Sequence, residues 1–196
     1  MNWFWGGQEE SGRIGAISYQ LPKRIRLEKI PDDQTLSRML ETGELDALIT
    51  PNLPSPFARG SPKVKRLFPN YNQVEMDNFK RTKIFPIMHT VVIRGEIYRE
   101  HPWVAPSLFK AFSQAKAIAE KEMYATEALR VMLPWLIDHI EATRALMGND
   151  YWTYGLEQNR ATLDALTIYL VEQGLAERKL EPEELFAPNT LQAYRI

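Results

Sequence analysis

The segment Ile87–Ile93 has the most uniform run of apolar positions in the chain, because every residue in it except His89 is apolar or β-branched. A continuous apolar run of this length is typical of a strand that is covered on both faces. Pro86 has no backbone N–H to give to a sheet, so we place it where the chain enters the strand. The pattern predicts a hinge strand that separates two lobes, residues 1–83 and 84–196.

Residues 1–83 contain short alternating or apolar runs divided by glycine and proline, which is typical of strands and helices in turn. A helix is predicted from Leu36 to a stop at Gly43, between two strands, and this strand–helix–strand unit favours a parallel sheet. Another helix is predicted over Tyr71–Lys83. The predicted strands are Asn2–Trp5, Arg24–Ile30, Glu44–Thr50 and Val64–Phe68.

Residues 84–196 are mostly helical in pattern after the hinge strand. Apolar residues recur at helical spacing from Val104 to Ala119, which predicts a long amphipathic helix. Glycine and proline mark the ends of the others. The remaining predicted helical segments are Thr126–Met132, Trp135–Met147, a helix around Leu163–Val171 that ends before Gly174, and a short turn at Pro182–Phe186. The pattern as a whole predicts an α/β protein with a helical C-terminal half.

The composition of the chain argues against several classes of function. The chain has 196 residues, 44% of them hydrophobic, and its formal net charge is −1, from 24 Lys and Arg against 25 Asp and Glu. Such a balance gives no electrostatic footprint for nucleic acid or for an anionic membrane. Cysteine is absent, which excludes disulfides, thiolate zinc sites and cysteine nucleophiles. No apolar run is long enough to span a membrane, and residues 1–7 do not resemble a secretory signal, so we expect a cytoplasmic protein.

His89 is the first candidate for chemistry. A histidine within a covered strand is either a buried residue whose nitrogens are satisfied by neighbours, or a group presented to a cleft where two lobes meet. Both interpretations stay open at this point. His139 does not offer a metal site, because Asp138 beside it points about 100° away on a helix and no His-Glu-x-x-His spacing is present. We therefore predict no metal.

The proline-rich stretch from Pro51 to Pro62 is predicted to be an irregular loop that leaves a strand end, where ligand clefts form in α/β sheets. Arg59 in this loop is a candidate anion contact, because a guanidinium can hold a carboxylate with two hydrogen bonds. Ser55 is a second candidate donor. The alternative is a solvated loop arginine without a ligand.

Several motifs, in their order along the chain, resemble the 4,5-dihydroxyphthalate decarboxylase family. The resemblance runs nearly from end to end. The motifs are Leu40–Ile49, Arg66–Pro69, Ile84–Ile93, His101–Val104, Leu133–Leu136, Tyr151–Leu156, Asn159–Arg160 with Thr162–Leu163, Glu172–Leu175 and Pro182–Pro188.

The resemblance implies a fold like that of the type 2 periplasmic binding proteins, with two α/β lobes around a cleft. Family members carry a substantial N-terminal part that builds most of the first lobe, so the architecture expected here is an incomplete two-lobe one. Residues 1–83 then resemble the remainder of the second lobe, and 84–196 the hinge strand and the helical return to the first. Exposed strand edges at Asn2–Trp5 and Ile87–Ile93 would favour pairing with another chain, hence a homo-oligomer.

The activity implied by the resemblance is decarboxylation of a hydroxylated aromatic dicarboxylate in aromatic catabolism, with no cofactor required. From position and side-chain type we assign proton transfer to His89, carboxylate anchoring to Arg59 and a further donor role to Ser55. The alternatives are a module that binds or senses a small organic acid without catalysis, and an inactive fragment that oligomerises.

Overall fold

Strand pairing in the computed structural model is confined, within the residues it describes (1–13 and 21–191), to two short strands. They are β1 (Trp3–Trp5) and β2 (Leu27–Lys29), which run parallel with Trp3 opposite Leu27. Both lie inside predicted strands, so these two predictions are confirmed. Parallel strands are normally covered on both faces, yet Trp3 and Leu27 are each 42% exposed.

Helix α1 (Leu36–Thr42) has the two ends that its sequence predicts. The Thr35 hydroxyl accepts a hydrogen bond from the Arg38 amide at 3.3 Å, which satisfies one of the free N–H groups at the start of the helix. Gly43 follows the last turn with φ of 86°, the left-handed conformation that glycine adopts at no steric cost. Helix α2 (Ser55–Ala58) is a single turn within the proline-rich stretch, where we predicted an irregular loop.

The chain forms two compact units. Unit 1 comprises Met1–Tyr71 with Glu172–Glu177, and unit 2 comprises Asn72–Val171 with the chain from Arg178 onward. The chain therefore leaves unit 1 after Tyr71 and returns to it briefly near its C-terminal end. The two-lobe division at residue 83 stays a prediction.

Unit 2 is built from helices. They are α3 (Tyr71–Thr82, whose first residue belongs to unit 1), α4 (Gly95–Glu100), α5 (Val104–Glu122), α6 (Leu136–Met147) and α7 (Arg160–Glu172, whose last residue belongs to unit 1), with 3-10 turns at Glu157–Asn159, Pro182–Leu185 and Pro188–Thr190. The predicted helices that correspond to α3, α5, α6 and α7 are confirmed, as is the turn near Pro182. Ala105, Ile140, Leu156 and Leu163 form its buried apolar core. None of the helices in the described ranges is long and apolar enough to cross a bilayer.

The strand predicted at Ile87–Ile93 is not formed, because residues 83–94 contain neither strand nor helix. Glu44–Thr50 and Val64–Phe68 also lack strand structure, so these three predictions are wrong. A strand requires a neighbour that accepts and donates its backbone hydrogen bonds, which local sequence does not supply. The helix predicted over Thr126–Met132 is absent too, because a run this short needs packing to be stable, and its last residue is 95% exposed.

Gly174 offers a test of how the returning segment packs within unit 1. Its φ is 73°, and a Cβ added there would lie 2.6 Å from Pro22 Cγ. We expect Gly174→Ala to destabilise the protein by about 3 kcal/mol, from left-handed backbone strain together with overpacking. Urea unfolding followed by circular dichroism would measure the difference.

Gly43→Ala is the matched control for that substitution. Gly43 has φ of 86° and no atom within 4 Å of an added Cβ, so only the backbone strain applies. We expect Gly43→Ala to lower the free energy of unfolding by about 1 kcal/mol. Equal losses of stability at the two positions would show that the close contact of an added Cβ at Gly174 with Pro22 does not add to the backbone strain.

Candidate functional site

A hollow of about 960 Å³ lies within unit 2. Its walls come from residues 85–93, the first half of α5, the loop 150–156 and residues 184–188. Cavities that hold small molecules are usually of this size or smaller. The hollow is therefore large enough for a single aromatic ring with its substituents.

Aromatic side chains make up much of the wall. Phe85 and Trp152 meet edge to face, with ring centroids 5.9 Å apart and an interplanar angle of 66°. Phe79, Phe109, Phe112, Tyr151, Tyr154 and Phe186 also line the hollow. Aromatic faces and edges pack well against another flat ring. The segment Tyr151–Tyr154 stands out in the sequence as aromatic, but its part in a cavity could not be predicted from spacing.

His89 lies in the wall of this hollow and is exposed to solvent. Its imidazole forms no hydrogen bond with residues 1–13 or 21–191. The interpretation of His89 as a buried side chain with satisfied nitrogens is therefore wrong for this structure. An accessible imidazole beside an apolar hollow can exchange a proton with a ligand, although its catalytic role stays a prediction.

Asn159 fixes the loop that carries the aromatic wall. Its amide nitrogen donates to the carbonyls of Thr153 at 3.2 Å and Gly155 at 2.8 Å, and its side-chain oxygen accepts from the Thr153 hydroxyl at 3.0 Å. The Thr162 hydroxyl donates to the Phe85 carbonyl at 3.1 Å, which ties α7 to the opposite wall. Sequence analysis named both residues within a motif but assigned neither a role, because spacing does not show which backbone carbonyl each side chain binds.

Lys116 on α5 also contacts the loop 150–156, through Asp150 and Tyr154. Its side chain is 16% exposed, its ammonium pairs with Asp150 and lies 3.8 Å from Glu120, and it sits 5.2 Å from the centre of the Tyr154 ring. Burial raises the pKa of the nearby Tyr151 phenol, and the negative charge of Glu120 raises it further. Tyr151 therefore remains a neutral hydroxyl at neutral pH.

Ser55 lies in unit 1 and already binds a carboxylate of the chain. Oε1 of Glu9 accepts hydrogen bonds from the Ser37 hydroxyl at 2.6 Å and from the Ser55 amide at 2.9 Å. Burial pushes the pKa of Glu9 upward, but these hydrogen bonds outweigh it and hold the pKa at about 2. Sequence analysis missed Glu9, which is 46 residues from Ser55 in the chain.

Arg59 also lies in unit 1, directly after α2, and its guanidinium pairs with the Glu41 carboxylate. Its side chain is 53% exposed. Each of the two predicted anion contacts therefore holds an internal carboxylate in this structure. His89 belongs to the other compact unit, so the structure does not bring the three predicted residues together within one unit.

Glu9→Gln tests the carboxylate site at Ser55. The carboxylate is held by charge-assisted hydrogen bonds but is largely solvent-exposed. We therefore expect the substitution to lower the free energy of unfolding by about 1 kcal/mol at pH 7. Because the folded-state pKa is about 2 and the ordinary value 4.5, this contribution is present above pH 4.5 and disappears as the pH falls towards 2. Urea unfolding at several pH values would measure it.

Glu10→Gln is the control for this substitution. Glu10 pairs with Arg13 at the surface, with both side chains at least 70% exposed, and such pairs contribute little to stability. A Glu9→Gln variant whose stability matches the Glu10→Gln variant at pH 7 would contradict the role of Glu9.

Metal ligands do not cluster in the part of the chain that the structure describes, where no group of three or more His, Asp or Glu side chains could hold an ion. The hollow in unit 2 thus offers an aromatic wall, an exposed imidazole and few charges. This arrangement suits the binding of a flat organic molecule.

Comparison with known proteins relates the whole chain to one enzyme. It is 39% identical, over all 196 residues, to a 4,5-dihydroxyphthalate decarboxylase of Comamonas testosteroni and spans 59% of that protein. It is also 47% identical over 68 residues, 35% of this chain, to a 4,5-dihydroxyphthalate decarboxylase of Pseudomonas putida, covering 26% of that protein. No family model matches the chain. The chain therefore spans little more than half of the first relative.

Proposed function

We propose that the chain, which is 39% identical over its full length to a 4,5-dihydroxyphthalate decarboxylase, belongs to that family and removes CO2 from a hydroxylated aromatic dicarboxylate such as 4,5-dihydroxyphthalate, without a cofactor. The observation that carries the proposal is the 39% identity over the full chain. The aromatic hollow in unit 2, with His89 in its wall, supports it.

The chemistry depends on the phenol that lies para to the departing carboxylate. Loss of the phenolic proton moves electron density onto the ring carbon that bears the carboxylate. That carbon takes up a proton, its bond to the carboxylate then breaks to release CO2, and the electron pair of this bond restores the aromatic ring. The phenolate that remains takes back a proton, so the product from 4,5-dihydroxyphthalate is 3,4-dihydroxybenzoate. The protein has to supply a proton acceptor, a proton donor at the ring carbon and a cation for the second carboxylate.

We assign proton transfer to His89, whose imidazole can both accept and donate a proton near neutral pH. Its position in the wall of the hollow gives it access to a ring bound there. The aromatic side chains of the wall would hold the ring by stacking and edge contacts.

Arg59, with Ser55, is our proposal for anchoring the carboxylate that stays on the ring. In that role Arg59 exchanges Glu41 for the substrate, and Ser55 exchanges Glu9. Such an exchange of one carboxylate for another preserves the hydrogen bonds and the charge balance of each donor.

We also propose a fold of the type 2 periplasmic-binding-protein kind, with a helical C-terminal half. The supporting observation is that the chain passes from one compact unit to the other and back again. A parallel pair of strands in unit 1 agrees with an α/β lobe.

Release of CO2 tests the function. Two preparations are needed: the chain of 196 residues, and a chimera in which this chain replaces the matched 59% of the Comamonas testosteroni protein. With 4,5-dihydroxyphthalate we expect CO2 and 3,4-dihydroxybenzoate in equal amounts. Phthalate without hydroxyl groups is the control and should release none, because it has no phenol to ionise.

Two outcomes would contradict the proposal. Calorimetric binding of the substrate without CO2 from either preparation would favour a module that binds small organic acids. Neither binding nor turnover in the chimera would show that the chain has lost both properties.

A further inference from the structure

Lys83 directly follows α3 in a backbone conformation that favours glycine. Its φ is 57°, and its amide donates to the Phe79 carbonyl at 2.8 Å. Gly43 has the equivalent place after α1, with φ of 86°. A side chain in this left-handed region crowds the backbone, whereas glycine adopts it at no steric cost. The chain therefore has a strained lysine where glycine would be unstrained, and strain of this kind is concentrated at ligand sites.

The Lys83 side chain lies in the wall of the hollow, in the same compact unit as His89. Its ammonium is 5.3 Å from the centre of the Phe79 ring, which also lines the hollow. It forms an ion pair with no carboxylate of residues 1–13 or 21–191. The ammonium can therefore bind an anionic ligand without first releasing a carboxylate of the described chain.

The other charges around the hollow are balanced. The carboxylates in its described lining belong to Asp150, which pairs with Lys116, and to Glu184, which accepts hydrogen bonds from Arg178 at 2.6 and 3.0 Å. Within the part of the chain that the structure describes, the lining contains no lysine or arginine other than Lys83. Because each lining carboxylate is neutralised by its own cation, the charge of Lys83 remains available to attract an anion.

We propose that Lys83 is a substrate-binding residue, whose ammonium pairs with a carboxylate on an aromatic ring in the hollow. The proposal rests on the proposed function and deepens it, because it names a second cation for the carboxylate that stays on the ring. A carboxylate has two oxygen atoms and accepts hydrogen bonds from more than one cation. Arg59, the first cation, has to release Glu41 before it binds a substrate, whereas Lys83 pairs with no carboxylate of the described residues.

Binding of phthalate tests the proposal independently of catalysis, because phthalate has both carboxylates but no phenol to ionise. Calorimetry measures its affinity for the chain of 196 residues and for the chimera. Lys83→Met should weaken binding about tenfold or more, since it removes a charge-assisted hydrogen bond and keeps an unbranched side chain. Lys83→Arg retains a cation and should keep the affinity within about threefold.

Two controls show whether the effect belongs to the cation. Lys80→Met removes a lysine from the end of α3, but Lys80 lies 3.2 Å from Asp77 and is absent from the lining, so phthalate binding should be unchanged. Catechol has two hydroxyl groups and no carboxylate, so its affinity should be the same for the Lys83→Met variant and the unsubstituted protein. Equal losses of affinity for phthalate and catechol would mean that the substitution distorts the hollow, and would overturn the proposal.

Lys83→Gly distinguishes a ligand contact from a structural role. Glycine relieves the left-handed strain, so the variant should melt about 2 °C higher. Its affinity for phthalate should nevertheless fall about tenfold, as in the Lys83→Met variant. A structural role of the side chain would lower stability and affinity together. A Lys83→Gly variant that melts lower and binds phthalate more weakly would therefore overturn the proposal.

Unchanged phthalate affinity in the Lys83→Met variant, or no phthalate binding by either unsubstituted preparation, would also overturn it. Failure of the proposed function has a different signature. Phthalate binding that depends on Lys83, without CO2 from 4,5-dihydroxyphthalate, would contradict the activity and leave the role of Lys83 intact. Release of CO2 by a Lys83→Met variant whose phthalate affinity is unchanged would contradict that role and leave the activity intact.

Discussion

Replacing His89 by alanine should lower the rate of CO2 release by about 100-fold or more, in whichever preparation shows turnover. A positioned general acid–base group typically contributes about 10² to 10⁴-fold to a rate. His89 is exposed in the wall of the hollow and forms no hydrogen bond with the described part of the chain. Its truncation should therefore leave stability nearly unchanged. His89→Gln should be similarly slow, because an amide does not exchange protons near neutral pH.

The control for this substitution is His139→Ala. His139 lies on α6, is also exposed and is absent from the lining of the hollow. We expect its turnover to stay within about twofold of that of the unsubstituted chain. The measurement is kcat and KM for 4,5-dihydroxyphthalate, with a thermal melt of each variant. Normal turnover in the His89→Ala variant would rule out proton transfer by this residue.

The helices could be predicted because their signals are local. Gly43 and Gly148 directly follow the helices that they were predicted to end, and the apolar spacing from Val104 onward corresponds to α5. Capping and helical periodicity involve residues a few positions apart, so sequence alone contains the information. Helices α2 and α4 were not predicted, since their four and six residues carry too short a pattern to be found. The helix predicted over Thr126–Met132 is absent from the structure.

The strands could be predicted only where the chain also supplies a partner. Trp3–Trp5 and Leu27–Lys29 pair with each other, and both predictions are confirmed. Ile87–Ile93 has a stronger apolar pattern than either, yet it is not a strand. A strand depends on backbone hydrogen bonds to a distant segment, and the pattern of side chains contains no information about whether that segment is present.

The candidate site likewise has one feature that could be predicted from the sequence and others that could not. The choice of His89 depended on residue type and apolar context, and the structure places it beside a hollow. The pairing of Arg59 with Glu41 and that of Ser55 with Glu9 could not be predicted, because the partners are 18 and 46 residues apart. Local spacing identifies candidate hydrogen-bond donors but does not show which acceptors they bind.

Replacing Leu163 by alanine should destabilise the protein by about 3 kcal/mol, because a buried leucine loses its transfer free energy and leaves a cavity. Leu163 on α7 is 3% exposed and belongs to the small buried apolar core of unit 2. A core this small has few neighbours that can collapse into the space. Urea unfolding followed by circular dichroism would measure the loss as a lower midpoint.

Leu166→Ala provides the comparison on the same helix. Leu166 is 44% exposed, so the same truncation removes side-chain atoms that are partly in water already and leaves no closed cavity. We expect a loss below about 1 kcal/mol. Because both variants change a leucine to alanine in one helix, helix propensity cancels between them and the difference reports burial alone. Equal losses would mean that α7 does not pack through Leu163 in solution, and the wall of the hollow that Leu163 supports would then have to be assigned to other side chains.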